Sequence, residues 1–196
     1  MSKRMPIDEI VSDEEYRDCD FSGMAMARME LENCEFDGCS FVGADLTGAR
    51  FNASTLRSCD LSGAKIAGCN FFSAEFAQCK LMGLDFREGL NLTATTFNEC
   101  NLDYSTFRGV SLEKLRFERC SFVEADLSLT NLAGAAFVNC NVSNTDIDEA
   151  TFFQTDLRGA DLTGWNLKRH DLKGIVITPS QFEYLATELG IQVLDG

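Results

Sequence analysis

The chain has 196 residues and a net charge of −14, from 31 acidic and 17 basic side chains, and 45% of it is hydrophobic. An acid excess of this size excludes direct binding of nucleic acid, which requires the opposite sign. No apolar run approaches a membrane span, and acidic residues stand where a signal peptide would be apolar, so a cytoplasmic protein with no membrane partner is expected.

Residues 1–18 read as an N-terminal cap, with Ile7, Ile10, Val11 and Tyr16 available to close the first coil of the repeat. From Phe21 onward every fifth residue is large and apolar: Phe21, Met26, Leu31, Phe36, Phe41, Leu46 and on to Phe86. One six-residue step then leads to Leu92, and the series resumes through Phe97, Leu102 and Phe107 to Ile177. There are 14 such positions before the slip and 18 after it. A strand repeats every two residues and a helix every 3.6, so neither accounts for a period of five. Two positions before each apolar centre the residue is mostly small, as at Ala44, Ala49, Ala74, Ser105 and Ala125. One position before it the residue is mostly Asp or Asn, as at Asp45, Asn70, Asn101 and Asp156.

One large and one small inward side chain per unit suit a narrow solenoid that turns sharply at every corner. No coil of such a solenoid buries its own interior, so stability comes from stacked neighbours. The cysteines fix the coil length. Cys19, Cys39, Cys59 and Cys79 are spaced by 20, as are Cys100, Cys120 and Cys140 after the slip, which predicts one column of seven. Cys34 and Cys69 fall on other faces, and all nine take the small inward position. Neither disulfides nor metal fit them. There is no CxxC, His170 is the single histidine, and in-register parallel cysteines hold their Cβ atoms about 4.8 Å apart, wider than a disulfide prefers. They are expected to be reduced packing residues, and His170 a packed residue of the last coil.

The slip at residues 87–91 should bulge the wall between the fourth and fifth coils, flanked by bulky Leu84, Leu90, Val110 and Leu115 at small positions. It reads either as a tolerated insertion or as an irregularity that a partner uses. At the C-terminus, Thr178-Pro179-Ser180-Gln181 has the pattern of a capping box with proline at the first helical position. Phe182, Leu185, Ala186 and Leu189 form one helical face, and Gly190 is placed to stop the helix. The domain plan is therefore a cap over 1–18, a repeat over 19–179, and a helix with its tail over 180–196.

No catalytic constellation emerges. Asp and Asn recur at positions set by the repeat, and there is no phosphate-binding glycine motif, no metal cluster and no cofactor signature, so a binding or structural protein is expected rather than an enzyme. Sorted by face, charge is most one-sided on the cysteine face, where Asp20, Asp60, Asp103, Glu124 and Asp161 face Lys80 alone. These five form the candidate acidic partner-binding face. Phe182, Leu185, Leu189, Ile191 and Val193 form the candidate dimer interface, because this surface exceeds what one coil end needs.

The units Ala-Asp-Leu-Thr-Gly at 44–48 and 160–164 match the A(D/N)LXX consensus, and over residues 19–179 the chain resembles the pentapeptide-repeat family. That resemblance implies an all-β solenoid, a right-handed quadrilateral β-helix of about eight coils with a C-terminal capping α-helix. In size, acidity, mid-rod slip and C-terminal helix it resembles the Qnr and MfpA-like group. What this implies is a homodimer joined through the C-terminal helix, bacterial and cytoplasmic. It would bind DNA gyrase or topoisomerase IV as a mimic of duplex DNA and protect it from quinolones or gyrase toxins. The chain departs from Qnr proteins in lacking two long projecting loops, which puts loop-dependent protection in doubt. The competing reading is a repeat scaffold for an unrelated cytosolic partner.

Overall fold

The computed structural model describes residues 3–192. The chain winds into an all-parallel β-solenoid. Its longest sheet stacks seven three-residue strands in the order β2 (Glu15–Arg17), β4 (Glu35–Asp37), β5 (Thr55–Arg57), β6 (Glu75–Ala77), β7 (Thr96–Asn98), β8 (Arg116–Glu118) and β9 (Ala136–Val138). Tyr16, Phe36, Leu56, Phe76, Phe97, Phe117 and Phe137 lie in register along it. Single parallel bridges form three further columns, such as Asp20↔Ser40, Ala25↔Asp45 and Glu30↔Arg50, so each coil has four sides. The seven strands span six turns, fewer than the eight coils expected. Beyond β9 the same column continues only as the bridges Ala136↔Asp156 and Asp156↔Val176.

Of the 32 apolar centres, 30 are buried; Leu172 and Ile177, in the last coil, are only half-buried for want of a coil above them. Phe76, Phe97, Phe117 and Phe137 stack with ring centroids 4.9–5.0 Å apart. Most corners carry a residue of positive φ two places after the centre, and 17 of these are not glycine. Leu129 and Tyr104 adopt φ of 59° and 61° there with their side chains exposed. Stacking therefore overrides a local preference worth roughly 1 kcal/mol per residue. The Asp or Asn before each centre accepts a hydrogen bond from the N–H two residues on, as in Asp45 to Thr47 at 3.1 Å and Asn70 to Phe72 at 3.1 Å, which explains that feature of the repeat.

The cysteine column has a role beyond packing. On the three other sides most corners close with a bond from the small residue's N–H to the centre's carbonyl, as in Ala44 N to Phe41 O at 2.9 Å. At Cys39, Cys59, Cys79, Cys100 and Cys140 that bond is absent, and each thiol instead donates to the centre carbonyl one coil below, Cys39 to Tyr16 O at 3.2 Å and Cys79 to Leu56 O at 3.2 Å. Where the column ends in Ala160, the corner closes again, Ala160 N to Leu157 O at 3.0 Å. All nine cysteines are buried and unbridged, and burial pushes the Cys69 thiol up to about 12.

Of the residues expected to cap the N-terminal end, Ile10 and Tyr16 are buried, and the Tyr16 hydroxyl donates to Val11 O at 2.8 Å. Ile7 and Val11 are exposed instead, because the end is covered by β1 (Lys3–Arg4), which pairs with β3 (Cys19–Asp20) on the cysteine side. At the other end α1 (Pro179–Glu188) lies over the last coil with Leu185 and Ala186 inward. Thr178 and Gln181 form the full capping box, and Gln181 Nε2 also donates to the coil-edge carbonyls of Leu157 at 2.7 Å and Ala160 at 2.9 Å.

Phe117 is fully buried within the aromatic stack, so Phe117→Ala should cost about 3–5 kcal/mol through a cavity that fixed coil spacing cannot close. Arg57→Ala, on the outer side of β5, should cost under about 0.5 kcal/mol. Similar losses at both sites in urea melts would contradict the inward and outward assignments.

Candidate partner-binding surfaces

The five carboxylates of the cysteine face do not form one cluster. Asp20, Asp60 and Asp161 share one bridge column, in which Ser40 separates the first two and Lys80, Asn101, Ser121 and Asn141 separate the last two. At about 4.8 Å per rung, Asp60 and Asp161 stand roughly 24 Å apart. Each also serves its own corner, accepting from Ser22 N, Ser62 N and Thr163 N at 3.0 Å. Asp60 further pairs with Lys80 at 3.4 Å. Asp103 lies one column over, accepting from Val123 N at 2.8 Å and Ser121 Oγ at 2.5 Å. Glu124 is an exposed corner residue with φ of 56°.

Charge is distributed along the axis more than by face. Residues 1–37 hold eleven acids against four bases, residues 38–119 nine against nine, and residues 120–196 eleven against four. The middle is laced by ion pairs, including Arg119 with Glu99 at 3.0 Å and Arg116 with Glu118 at 3.3 Å. Between Arg119 and Arg158 there is no basic residue, while Asp126 and Asp146 sit on adjacent rungs with Glu124, Asp148 and Glu149 nearby in the chain. Charge is therefore most one-sided over residues 1–37 and 120–157, a pattern that grouping by face conceals.

The C-terminal helix presents a second surface. Phe182, Tyr184, Leu189 and Ile191 are exposed, at 51%, 40%, 37% and 52%. Leu185 is not among them. It is 3% exposed and packs into the core of its own last coil, so it does not belong to the free face on which the sequence places it. Val193 lies outside the described residues. Tyr184, which helical spacing sets beside rather than on the predicted stripe, completes the patch. His170 is half-buried, its ring edge-on to Phe152 at 5.4 Å, in an open cleft of about 430 Å³ with Arg169 and Lys173. Among the described residues no group of three or more His, Cys, Asp or Glu is placed to hold a metal ion, and no helix is long and apolar enough to cross a membrane.

Models of the pentapeptide repeat region match residues 10–86, 29–107 and 69–142, and a model of eight pentapeptide repeats matches residues 125–164. The chain belongs to the pentapeptide-repeat family. No curated protein sequence matches it. Among solved structures it is similar to full-length QnrB1, a plasmid-mediated fluoroquinolone resistance protein, with TM-score 0.80 and 24% identity over 96% of this chain and 95% of that one. A trypsin-treated point variant of QnrB1 aligns with TM-score 0.74 and 26% identity over 98% of this chain and 95% of that one. The likeness establishes a shared solenoid from end to end.

The corner hydrogen bonds make a pH dependence. Hydrogen bonds from Ser22 hold the Asp20 carboxyl below the usual carboxylate range, those from Thr47 do the same for Asp45, and the Arg87 guanidinium does so for Asp85. A carboxyl lowered in the folded state adds stability that is complete above the ordinary value near 4 and is lost as pH falls through the lowered values. The urea midpoint should thus fall on acidification below about pH 4. Asp45→Asn, which keeps the acceptor but cannot titrate, should flatten part of that slope; an unchanged slope would remove Asp45 from the explanation.

Proposed function

We propose that this protein binds a type II topoisomerase, DNA gyrase or topoisomerase IV, at a site that otherwise holds duplex DNA, and so alters the enzyme's response to quinolones or gyrase toxins. The observation that carries the proposal is the end-to-end match to QnrB1, a fluoroquinolone resistance protein, by a rod of net charge −14. A basic groove built for phosphates attracts such a rod at long range, and salt screens that attraction. The pairing surface is the exposed apolar patch of α1. Two copies joined there about a two-fold axis place the base-free stretch between Arg119 and Arg158 of each rod on either side of the joint. Each side of the joint then carries an acidic band over residues 120–157, with neutral arms beyond it and acidic tips.

The neutral middle of the rod supports a second reading, a scaffold whose partner is not a DNA-binding enzyme. A supercoiling assay separates the two. Purified protein should inhibit gyrase or restore its activity in the presence of a quinolone, and raised salt should weaken either effect. A protein without effect at any salt concentration leaves the scaffold reading.

Phe182→Asp should release monomers whose solenoid remains intact by circular dichroism, and these should lose most of the effect on supercoiling. Leu185→Asp should instead destabilise the cap itself, because Leu185 faces the coil. A wild-type chain that sediments as a monomer would contradict the paired arrangement.

A further inference from the structure

The wall of the solenoid lacks bridges at several rungs, among them Lys65 with Asp85, where Gly68 N still donates to Glu88 O at 2.7 Å, but in mid-rod it loses both donors of a rung at one place. Below it, Phe71 N donates to Asn91 O at 2.9 Å and Ser73 N to Thr93 O at 2.9 Å. Above it, Leu112 N donates to Asn131 O at 2.9 Å and Lys114 N to Ala133 O at 3.1 Å. Between these rungs the equivalent donors, Leu92 N and Ala94 N, have no acceptor among the described residues, and neither have Gly89 N and Ser111 N. Bridges run from Asn70 to Asn91 and from Ser111 to Asn131, but none joins Asn91 to Ser111.

The cause lies in the sequence. The extra residue between Phe86 and Leu92 lengthens one corner, and Leu90, Val110 and Leu115 occupy positions that are Ala, Cys, Ser or Thr in most other coils. Their bulk props the two lips apart around a cleft of about 480 Å³. Leu90 and Val110 are half-buried and form its apolar walls. Both lips nonetheless keep the repeat conformation, with φ of 65° at Gly89, 59° at Ala94, 72° at Gly109 and 62° at Lys114. The free N–H groups of Leu92 and Ala94 are therefore held two residues apart and directed along the rod axis, as their paired counterparts are in neighbouring coils.

We propose that this breach is a docking slot for an extended segment of a partner protein, which adds its carbonyls to the N–H groups of Leu92 and Ala94 and seats one apolar side chain between Leu90 and Val110. Addition of a strand to a free sheet edge works in this way, with main-chain bonds giving affinity and a side-chain pocket giving specificity. Charge defines the segment further. Glu88 beside the slot has no ion-pair partner among the described residues, and Glu113 on the opposite lip is engaged only by the exposed Lys114. The segment that fits is apolar at its centre and basic at its flanks. The slot does not rest on the topoisomerase reading, since its occupant is specified by backbone and apolar contacts rather than by likeness to DNA.

The test uses the full chain and a fluorescein-labelled peptide, Lys-Thr-Val-Leu-Val-Thr-Lys, followed by anisotropy and by amide hydrogen exchange. Exchange at Leu92 and Ala94 should be fast in the free protein, relative to Leu112 and Lys114, and slow when peptide is bound. Val110→Phe fills the slot from within, and deletion of Glu88 restores the 20-residue register so that the wall closes. Each should weaken peptide binding by about tenfold or more, a single step on the affinity scale. A peptide with Asp in place of its central Leu should not bind. Leu92 and Ala94 amides protected as strongly as Leu112 in the free protein, no peptide binding, or binding that Val110→Phe leaves unchanged would each overturn the proposal. An inactive supercoiling assay would leave it standing.

Discussion

Everything in this molecule depends on in-register parallel stacking of one coil on the next. An N–H in one coil finds its acceptor at a fixed offset in the neighbouring coil, as in Phe41 N to Asp60 O and Phe122 N to Asn141 O, both 2.7 Å. That bond repeats only if four corners return the chain to the same place every 20 residues. Large centres fill the axis and small residues let the wall close over them. The left-handed corner residue makes the turn, and the Asp or Asn before each centre holds it. The ladder is strong enough that leucine, tyrosine and lysine accept a backbone conformation they otherwise avoid.

The same constraint explains the exceptions. On the side built of paired strands the usual turn bond is absent, and each centre carbonyl takes one ladder bond while keeping a second lone pair in the buried interior that favours a further donor. The cysteine column answers that demand with thiols reaching one coil down, and Ser54 does the same on another side, donating to Leu31 O at 2.6 Å while accepting from Cys34 N at 3.0 Å. Gln181 is the terminal version of this device, supplying from the helix the donors that a further coil would have supplied. Where the register is broken by one residue no side chain fills the gap, and the wall stands open.

Most of the fold was legible because the signal is redundant. Phe21 to Ile177 states the same inward position 32 times, and the seven spaced cysteines state the coil length independently. The capping box was legible from four residues. The surfaces were harder. Leu185 and Phe182 are both apolar and share a helical face, and the sequence does not say how far the coil beneath that face extends. Ile7 and Val11 looked like cap residues because nothing in Lys3-Arg4 announces a strand. Sorting charge by face hid the acidic stretches at 1–37 and 120–157, which a count along the chain reveals. The slip predicted a bulge, but whether the ladder would close across it depended on how Leu90, Val110 and Leu115 pack together.

The proposed function stands on one physical claim, that an acidic rod competes with DNA for the same enzyme surface. It is tested most directly by measuring the affinity of the purified protein for DNA gyrase with and without a linear duplex, at low and at moderate ionic strength. Competition predicts binding that duplex DNA displaces and that weakens steeply with salt. Binding that DNA leaves untouched, or no binding at low salt, would contradict it.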